Sequence, residues 1–318
     1  MGLGADVQGE LMSEENTLTH AEARKRIDDW LPYTEGHTFE AKDVWAQFNV
    51  YSAEGKHNIA QVLSNYKRKG ILAGDRGRFR HINRELETLD WVDADPGHIL
   101  DIHWPIGFGD GTSFGFDNNL TLYPDSIVIF SGESNRGKSA LQLNVLVRNM
   151  DDWKCRYLTN EMGREELKDR LDSFAGYYEL TDVFGDPKFE AAVRYDNYED
   201  VILPGGLTII DYLDPGENPY MVGQQIDAIR QRLAGGVAFI SLQKKRGAEY
   251  GAGGQYSEHR ARIVLHLSTG EDGREYLLVK KAKKCRIQNL NGKKFAFGIT
   301  NNGSQFYGIR PYTEGEEA

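Results

Sequence analysis

The chain has 318 residues, of which 40% are hydrophobic and 27% are charged, and its formal net charge is −10. This composition is typical of a globular protein, and without any apolar run of 18 residues the sequence predicts no membrane-spanning helix. The overall acidity excludes a uniformly basic nucleic-acid-binding protein. Two segments are nevertheless basic. Residues 55–84 hold eight Lys/Arg and one acidic residue, and residues 280–294 hold seven Lys/Arg and no acidic residue.

The first 17 residues are polar and show no hydrophobic period, so we predict a disordered tail there. They also lack the basic start and apolar core of a secretory signal. The only two cysteines, Cys155 and Cys285, lie far apart in the sequence and lack metal-ligand spacing. Together these features favour a reduced, cytoplasmic protein.

Three helical patterns and a hairpin pattern follow the tail. The first helix, HAEARKRIDDWL, has Thr19 as its N-cap with Glu22 as the capping-box partner. AKDVWAQFNV predicts a short second helix, and a third runs from an N-cap at Ser52 to a stop at Gly70. LAGDRGRFRHI then predicts two short strands joined by a tight turn.

Three helices and a basic hairpin within residues 18–84 resemble a winged helix-turn-helix domain. In that family the third helix enters the major groove of DNA and the hairpin contacts the backbone. The resemblance therefore implies DNA-binding candidates on the third helix and the hairpin, namely Lys56, Asn58, Gln61, Lys67, Arg76, Arg78 and Arg80. The alternative is that the same fold serves as a protein-docking module.

The rest of the chain has the pattern of an α/β domain. Residues 85–115 are acidic and then glycine-rich and are predicted to be a linker, with a domain boundary near residue 95. Residues 116–310 form the second domain, and residues 311–318 a tail. Helices separate the first four strand candidates, which favours parallel strands; the last three are joined by short turns, which favours antiparallel ones. These seven candidates are residues 126–131, 155–159, 207–211, 237–242, 261–267, 275–282 and 294–300.

The stretch GESNRGKS matches the phosphate-binding P-loop pattern G-x-x-x-x-G-K-[ST] and lies between a buried strand and a helix, as that loop requires. Glycines let backbone N–H groups turn toward phosphates, Lys138 supplies a compact positive charge, and Ser139 offers a hydroxyl to Mg²⁺. No guanine-specific motif follows, so ATP is favoured over GTP. The predicted nucleotide-binding residues are Gly132, Glu133, Ser134, Asn135, Arg136, Gly137, Lys138 and Ser139.

Three further segments, YLTNEMGREEL, LTIIDYLD and VAFISLQKKRG, follow the P-loop in the order found in RecA/DnaB-type ATPases, which the chain resembles over residues 120–300. The resemblance implies that Glu161 polarises the attacking water and that Asp211 holds Mg²⁺ through water. It implies that Gln243 senses the γ-phosphate and links it to DNA-binding loops. Arg246 occupies a basic position three residues further on and is a DNA-binding candidate.

Two later segments complete the resemblance. AEYGAGGQYSEHRA, residues 248–261, resembles a mobile glycine-rich loop that lines the DNA channel. LLVKKAKKCRIQNLNGKKFAF resembles a late hairpin on which a K-x-R strand segment reaches the ATP of the neighbouring subunit. Lys284 and Arg286 match that spacing, and the resemblance implies that they act in trans on the transferred phosphoryl group.

The fold expected from these motifs is a RecA-like P-loop ATPase core, a parallel sheet with added antiparallel strands, preceded by a small winged helix-turn-helix domain. The expected function is a DNA-acting ATPase, such as a helicase, loader or recombination motor, that forms a hexamer or a filament. ATP and Mg²⁺ would bind between subunits, single-stranded DNA in the ring, and duplex DNA at the winged helix. Two alternatives are an ATP-switched, sequence-specific DNA-binding regulator or adaptor and a small-molecule kinase, although no lid or acceptor pocket is recognisable.

Overall fold

A computed structural model describes residues 18–34, 37–86, 88–214, 221–245, 248, 250–270 and 272–313. The predicted tail at residues 1–17 and the DNA-binding candidate Arg246 lie outside these ranges. The chain divides into two compact units, residues 1–94 and residues 95–318. Within the described ranges, no helix is long and apolar enough to cross a membrane.

The first unit contains three helices packed around one apolar cluster and a small antiparallel sheet. The helices are α1 (His20–Trp30), α2 (Ala41–Gln47) and α3 (Ala53–Arg68). The strands are β1 (Thr38–Glu40), β2 (Leu72–Ala73) and β3 (Arg78–His81), and their order in the sheet is β1-β3-β2. The predicted hairpin is therefore present as β2 and β3, and β1 adds a third strand that the sequence pattern did not indicate.

The predicted ends of these helices are confirmed by their hydrogen bonds. The Thr19 side chain accepts a hydrogen bond from the Glu22 amide, and the Glu22 carboxylate accepts one in return from the Thr19 amide, which completes the capping box. The Ser52 hydroxyl accepts a hydrogen bond from Gly55 at the start of α3. Gly70 follows the last residues of α3 with a φ of +67°, a conformation that favours glycine.

The second unit is built on one nine-stranded sheet. Its strands are β4 (Ser126–Gly132), β5 (Cys155–Thr159), β6 (Phe189–Val193), β7 (Leu207–Asp211), β8 (Val237–Gln243), β9 (Ile263–Thr269), β10 (Glu275–Ala282), β11 (Lys294–Thr300) and β12 (Gln305–Pro311). Their order in the sheet is β12-β11-β10-β9-β4-β8-β7-β5-β6. Strands β9, β4, β8, β7, β5 and β6 are parallel neighbours, whereas β10, β11 and β12 are added in antiparallel fashion. The predicted α/β core, a parallel sheet with added antiparallel strands, is thus confirmed, while the winged helix-turn-helix assignment of the first unit stays a prediction.

Both faces of this sheet are covered by apolar side chains from helices. The helices of the unit are α4 (Lys138–Asn149), α5 (Arg164–Asp172), α6 (Val222–Gln231) and α7 (Gln255–His259). Side chains of α4 and α5 belong to the cluster on one face, and side chains of α6 belong to the cluster on the other. This is the layering expected of a mostly parallel sheet.

Strands β6 and β12 were not predicted from the sequence. In β6 only Phe189 is buried and the next four residues are exposed, so no hydrophobic alternation marks the strand. In β12 the segment includes Gly308 and Pro311, both of which are disfavoured inside strands. The predicted C-terminal tail accordingly begins too early, because Pro311 ends β12 and Tyr312 is buried.

The second half of the predicted linker, residues 85–115, is not a linker, because several of its apolar side chains are buried in the core of the second unit. Leu100, Ile102 and Trp104 alternate along the chain and are buried in the cluster that lines one face of the sheet. The Trp104 ring lies 5.3 Å from that of Phe116 and 5.6 Å from that of Phe239 on β8. The segment from residue 95 to residue 125, here called the strap, therefore belongs to the second unit.

The strap is tied to a remote part of the chain through Asn119, which is 3% exposed. Its side-chain amide donates a hydrogen bond to the Gln288 carbonyl at 2.9 Å, and its Oδ1 accepts from the Ile287 amide at 2.9 Å. Its own carbonyl accepts a third hydrogen bond from the Arg286 amide. Asn119 thus joins the strap to the turn that follows β10.

Candidate functional site

The P-loop joins β4 to α4 through a backbone that only glycine accommodates at its key positions. Gly137 has a φ of +83°, and a Cβ added there would lie 2.5 Å from Ile299 Cδ1. A Cβ added at Gly132 would lie 3.0 Å from the Leu267 carbonyl oxygen. The loop therefore packs closely against β9 and β11, and α4 begins at Lys138 with its amide groups directed toward the loop.

Lys138 lies inside this loop and is only 7% exposed. Its ammonium donates hydrogen bonds to the carbonyls of Gly132, at 3.1 Å, and Glu133, at 2.8 Å. Burial lowers the pKa of Lys138, while the negative charges of Glu161 and Asp211 act in the opposite direction. The charge that the sequence assigned to phosphate binding is therefore held at the centre of the loop.

Arg136 has a different role from the one suggested by its place in the motif. Its guanidinium forms an ion pair with Glu275 on β10 at 2.6 Å, and a longer one with Glu133 at 3.8 Å. Glu275 also accepts a hydrogen bond from the Thr269 hydroxyl at the end of β9. The Arg136 side chain thus fastens the P-loop to the neighbouring strands, and its contact with a nucleotide remains a prediction.

Asp211 ends β7 and is 1% exposed. Burial raises the pKa of Asp211, whereas the side chains of Tyr157 and Ser139 lower it. The Tyr157 hydroxyl donates to Oδ2 at 2.6 Å, while Oδ1 is buried and has no close hydrogen-bond partner among the described residues. An orphaned carboxylate oxygen beside a P-loop serine fits the water-mediated, oxygen-only coordination of Mg²⁺, so Ser139 and Asp211 would hold this ion.

Glu161 follows the end of β5 by two residues, and its amide donates a hydrogen bond to the Thr159 hydroxyl at 3.2 Å. Burial and the negative charge of Asp211 raise the pKa of its carboxyl, and the positive charges of Lys138 and Arg170 partly offset this. Its side chain faces the P-loop across a cavity of about 250 Å³. That cavity is lined by Ser134, Asn135, Arg136, Gly137, Lys138, Ser139, Ala140, Glu161, Met162, Glu166 and Arg170.

Gln243 lies at the end of β8, directly opposite Gly132 in the sheet. Its Oε1 is 3.4 Å from Lys138 Nζ, and its carbonyl accepts a hydrogen bond from the Ala252 amide at 2.9 Å. Gln243 therefore contacts the P-loop lysine on one side and the glycine-rich stretch on the other.

Part of the glycine-rich stretch, which was predicted to be a mobile loop, is helical. Residues 255–259 form helix α7, in which Ser257 and Glu258 are buried. Gly251 packs against the ends of β4 and β8, since a Cβ added there would lie 3.2 Å from Ser131 Cβ and 3.1 Å from Leu242 Cβ. The helix was missed because its single turn and a half is too short to show a hydrophobic period.

Two residues near the site were missed by the sequence analysis. Arg170 on α5 lines the cavity, pairs with Glu166 at 3.1 Å and lowers the pKa of both Glu161 and Asp211. Tyr157 on β5 holds Asp211 through the hydrogen bond described above. The spacing of four residues between Glu166 and Arg170 indicates an ion pair on a helix, but the sequence carries no signal that either Arg170 or Tyr157 lies at this site.

Lys284 and Arg286 lie beyond the ends of the sheet strands that are opposite to the P-loop. Strand β10 runs antiparallel to β9, so Glu275 lies beside Thr269 at the P-loop edge and Ala282 beside Ile263 at the far edge. Strand β10 ends at Ala282, so the two basic residues lie in the turn that follows it and not on a strand as predicted. Cys285, which stands between them, forms an isolated β-bridge with Leu120. The Lys284 ammonium donates to the Tyr123 hydroxyl at 2.6 Å, and the Arg286 guanidinium donates to the Asp117 carbonyl at 3.0 Å. Within one chain, the structure does not bring them to the P-loop.

The DNA-binding candidates of the first unit lie mostly on its surface. Gln61, Lys67, Arg76, Arg78 and Arg80 are exposed, and Arg78 pairs with Glu40 on β1 at 3.5 Å. Two candidates on α3 differ from the expected exposure.

Asn58 and Lys56 are both half-buried. The Asn58 amide donates to the Leu18 carbonyl at 2.8 Å, and the Lys56 ammonium lies 5.4 Å from the Trp45 ring centroid. Both side chains therefore help to hold α3 in its unit, which the sequence pattern could not show because their partners come from other elements.

Comparison with known proteins gives a match at the level of the fold. No protein-family profile and no curated protein matches the chain. A solved structure of a KaiC-like protein from the hyperthermophilic archaeon Pyrococcus horikoshii is similar, with a TM-score of 0.52 and 16% identity over 67% of this chain and 100% of that chain. The second unit therefore has the fold of a RecA-like P-loop ATPase.

Proposed function

We propose that the protein is an oligomeric, DNA-acting ATPase that hydrolyses ATP at the interfaces between its subunits. The observation that carries the proposal is the meeting of Lys138, Ser139, Glu161, Asp211 and Gln243 at one edge of the sheet. This set provides a phosphate-binding loop, a pair of ligands for Mg²⁺ and a carboxylate for proton transfer. The RecA-like fold supports the assignment of these roles.

In this proposal each side chain has a separate task in phosphoryl transfer to water. Lys138 binds the β- and γ-phosphates by exchanging its bonds to the loop carbonyls for bonds to phosphate oxygens. Glu161, whose raised pKa suits a general base, orients the attacking water and accepts its proton. Bound Mg²⁺, held by Ser139 and Asp211, would neutralise charge on the phosphates. Gln243 contacts the γ-phosphate and conveys its presence to the glycine-rich stretch.

The positions of Lys284 and Arg286 support a site that is shared between subunits. A cation at the far edge of the sheet cannot stabilise charge at the P-loop of its own chain. In a head-to-tail ring or filament, the far edge of one subunit can approach the P-loop edge of the next. A guanidinium supplied in this way would stabilise the developing charge on the γ-phosphoryl group.

A mixing experiment tests the trans role. Arg286→Ala and Lys138→Ala are each expected to lose hydrolysis by on the order of 10²- to 10³-fold when tested alone. Mixing the two variants in equal amounts should restore activity, because about a quarter of randomly formed interfaces would combine an intact P-loop with an intact Arg286. The measurement is the steady-state ATPase rate of each variant and of the mixture. If the mixture stays as inactive as its components, Arg286 does not act in trans.

The DNA part of the proposal is supported by the contact between Gln243 and the glycine-rich stretch and by the basic residues of 280–294. Single-stranded DNA is expected to raise the ATPase rate, and its binding should weaken steeply with salt because phosphate contacts release counterions. The rate is measured with and without single-stranded DNA at two salt concentrations. An unchanged rate would remove DNA from the proposal and leave the ATPase.

The second candidate function is an ATP-switched, sequence-specific DNA-binding regulator or adaptor, and the exposed arginines of the β2–β3 hairpin favour it. Replacing Arg76 by alanine should weaken duplex binding about equally across sequences. It should also reduce the slope of log binding constant against log salt concentration by about 1, as expected for the loss of one phosphate contact. Fluorescence anisotropy with labelled duplexes over a salt series measures both quantities. Duplex binding that is unaffected by Arg76→Ala would favour the protein-docking alternative for the first unit.

A further inference from the structure

A cluster of two buried side chains and one half-buried lysine lies beside the P-loop and has no role in the proposed chemistry. Glu258 on α7 accepts hydrogen bonds from His266 Nε2 on β9 and from Lys280 Nζ on β10, both at 3.1 Å. Glu258 is 7% exposed and His266 is 3% exposed. These three residues, here called the Glu258 triad, join one short helix to two strands of the sheet.

The surroundings of the triad shift the pKa values of Glu258 and His266. Burial opposes the charge on Glu258, but the hydrogen bonds from His266 and Lys280 lower its pKa below the ordinary value. Burial lowers the pKa of His266, whereas its hydrogen bond with Glu258 raises it. The triad joins a Lys–Glu ion pair to one histidine, and removal of Lys280 would take a cationic partner from the buried Glu258 carboxylate.

Two consecutive lysines of β10 contact the glycine-rich segment, residues 250–254, and the helix that follows it. The Lys280 ammonium lies 3.4 Å from the Tyr250 ring centroid, at the start of the segment. Lys281 donates hydrogen bonds to the carbonyls of Glu258, at 2.6 Å, and His259, at 3.1 Å, just beyond the end of the segment. The first two lysines of the basic stretch 280–294 therefore point at this segment and its helix.

The triad is also adjacent to the phosphate-binding loop. His266 is the register partner of Ser131, which precedes the first P-loop glycine. Within the glycine-rich segment, Gly251 packs on Ser131, and the Ala252 amide donates a hydrogen bond to the Gln243 carbonyl. The segment is therefore held at Tyr250 and at Ala252, and the helix that follows it is held at Glu258. Gln243 Oε1 lies 3.4 Å from Lys138 Nζ.

We propose that Lys280 and Glu258 are positioning residues that hold the glycine-rich segment against Gln243, so that a change at Lys138 on nucleotide binding moves this segment. The inference rests on the proposed function, because it requires that a nucleotide binds at Lys138. Without the triad, the segment would keep its backbone bond to Gln243 and α7 would keep the hydrogen bonds from Lys281, but Tyr250 would lose the Lys280 ammonium and α7 its side-chain contact with β9. Nucleotide binding and movement of the segment would then be uncoupled.

The test is hydrogen–deuterium exchange of peptides that cover residues 250–259, in full-length protein with ADP or a non-hydrolysable ATP analogue and Mg²⁺. In the unmodified protein, exchange should differ between the two nucleotides. In Lys280→Met, exchange should be about tenfold faster and the same with both nucleotides. The steady-state kcat should fall about tenfold with KM nearly unchanged, since the triad touches no phosphate. Lys280→Arg, which keeps the charge, should behave nearly like the unmodified protein in both the exchange of residues 250–259 and kcat.

Two further variants keep the test decisive if Lys280→Met folds poorly. Tyr250→Leu removes the ring over Lys280 while keeping the ion pair of Lys280 with Glu258, and it should give a smaller change in the same direction. Lys154→Met changes an exposed lysine of the same unit and should change nothing. A nucleotide-dependent difference in exchange as large as in the unmodified protein, seen in Lys280→Met or, if that variant does not fold, in Tyr250→Leu, would overturn the inference. Titrating the same samples with nucleotide distinguishes failure of this inference from failure of the proposed function. If the unmodified protein does not bind nucleotide, the proposed function fails as well.

Discussion

Replacing Lys138 by alanine is expected to reduce ATP hydrolysis by on the order of 10³-fold and to weaken ATP binding at the same time. The reason lies in the position of the ammonium, which is buried and held by the Gly132 and Glu133 carbonyls at the centre of the P-loop. Alanine removes the buried positive charge at the centre of the loop. The two arginines that remain in the cavity lining, Arg136 and Arg170, are paired with Glu275 and Glu166.

The effect is measured as the steady-state ATPase rate and as nucleotide affinity by titration with a fluorescent ATP analogue. Lys154→Ala is the matched control, because Lys154 is an exposed lysine of the same unit outside the P-loop cavity. Both variants should melt at similar temperatures. Hydrolysis by Lys138→Ala at the unmodified rate would rule out the P-loop as the ATPase site.

The second large effect is expected for Glu161→Gln, which should lower the hydrolysis rate by about 10²- to 10⁴-fold while ATP still binds. Glutamine fills the same space and keeps a polar end but cannot accept a proton from water. Affinity for ATP should be retained or should rise, because a negative charge beside the triphosphate is removed. A loss of kcat without a loss of binding separates this residue from Lys138.

The pH dependence gives an independent signature of the same carboxylate. Burial and the charge of Asp211 raise the pKa of Glu161, and a general base acts only when it is deprotonated. The rate should therefore be fully present above the raised pKa and fall as pH decreases through it. In Glu161→Gln this acid limb should be lost or displaced. The matched control is Glu165→Gln, an exposed glutamate in the first turn of α5; a decrease of kcat in this control as large as in Glu161→Gln would contradict the assignment.

The strands and the P-loop could be predicted because their signals are local. Cys155–Thr159, Leu207–Asp211, Glu275–Ala282 and Lys294–Thr300 have the predicted bounds, since each is an apolar run bounded by polar or turn residues. The P-loop was recognisable because its backbone requires glycine at fixed positions.

What could not be predicted depends on partners remote in sequence. Strand β6 pairs with β5 on one side and exposes most of its residues, so its sequence carries no strand period. The role of Arg170 follows from the close packing of α5 beside the P-loop, and the pairing of Glu258 with His266 and Lys280 from the arrangement of three elements. The placement of Lys284 and Arg286 in a turn follows from their contacts with the strap, more than 160 residues upstream.

The contacts of Asn119 also determine when the second unit can fold. The strap leaves the ribosome early, but the backbone groups that satisfy Asn119 belong to residues 286–288, about 170 positions later. Until those residues emerge, Trp104 and Phe116 lack the antiparallel half of the sheet that completes their cluster. Such long-range closure slows folding and exposes apolar surface during synthesis. The second unit must therefore complete its core after almost the whole chain has been made, which makes nascent chains shortened before residue 286 prone to aggregation.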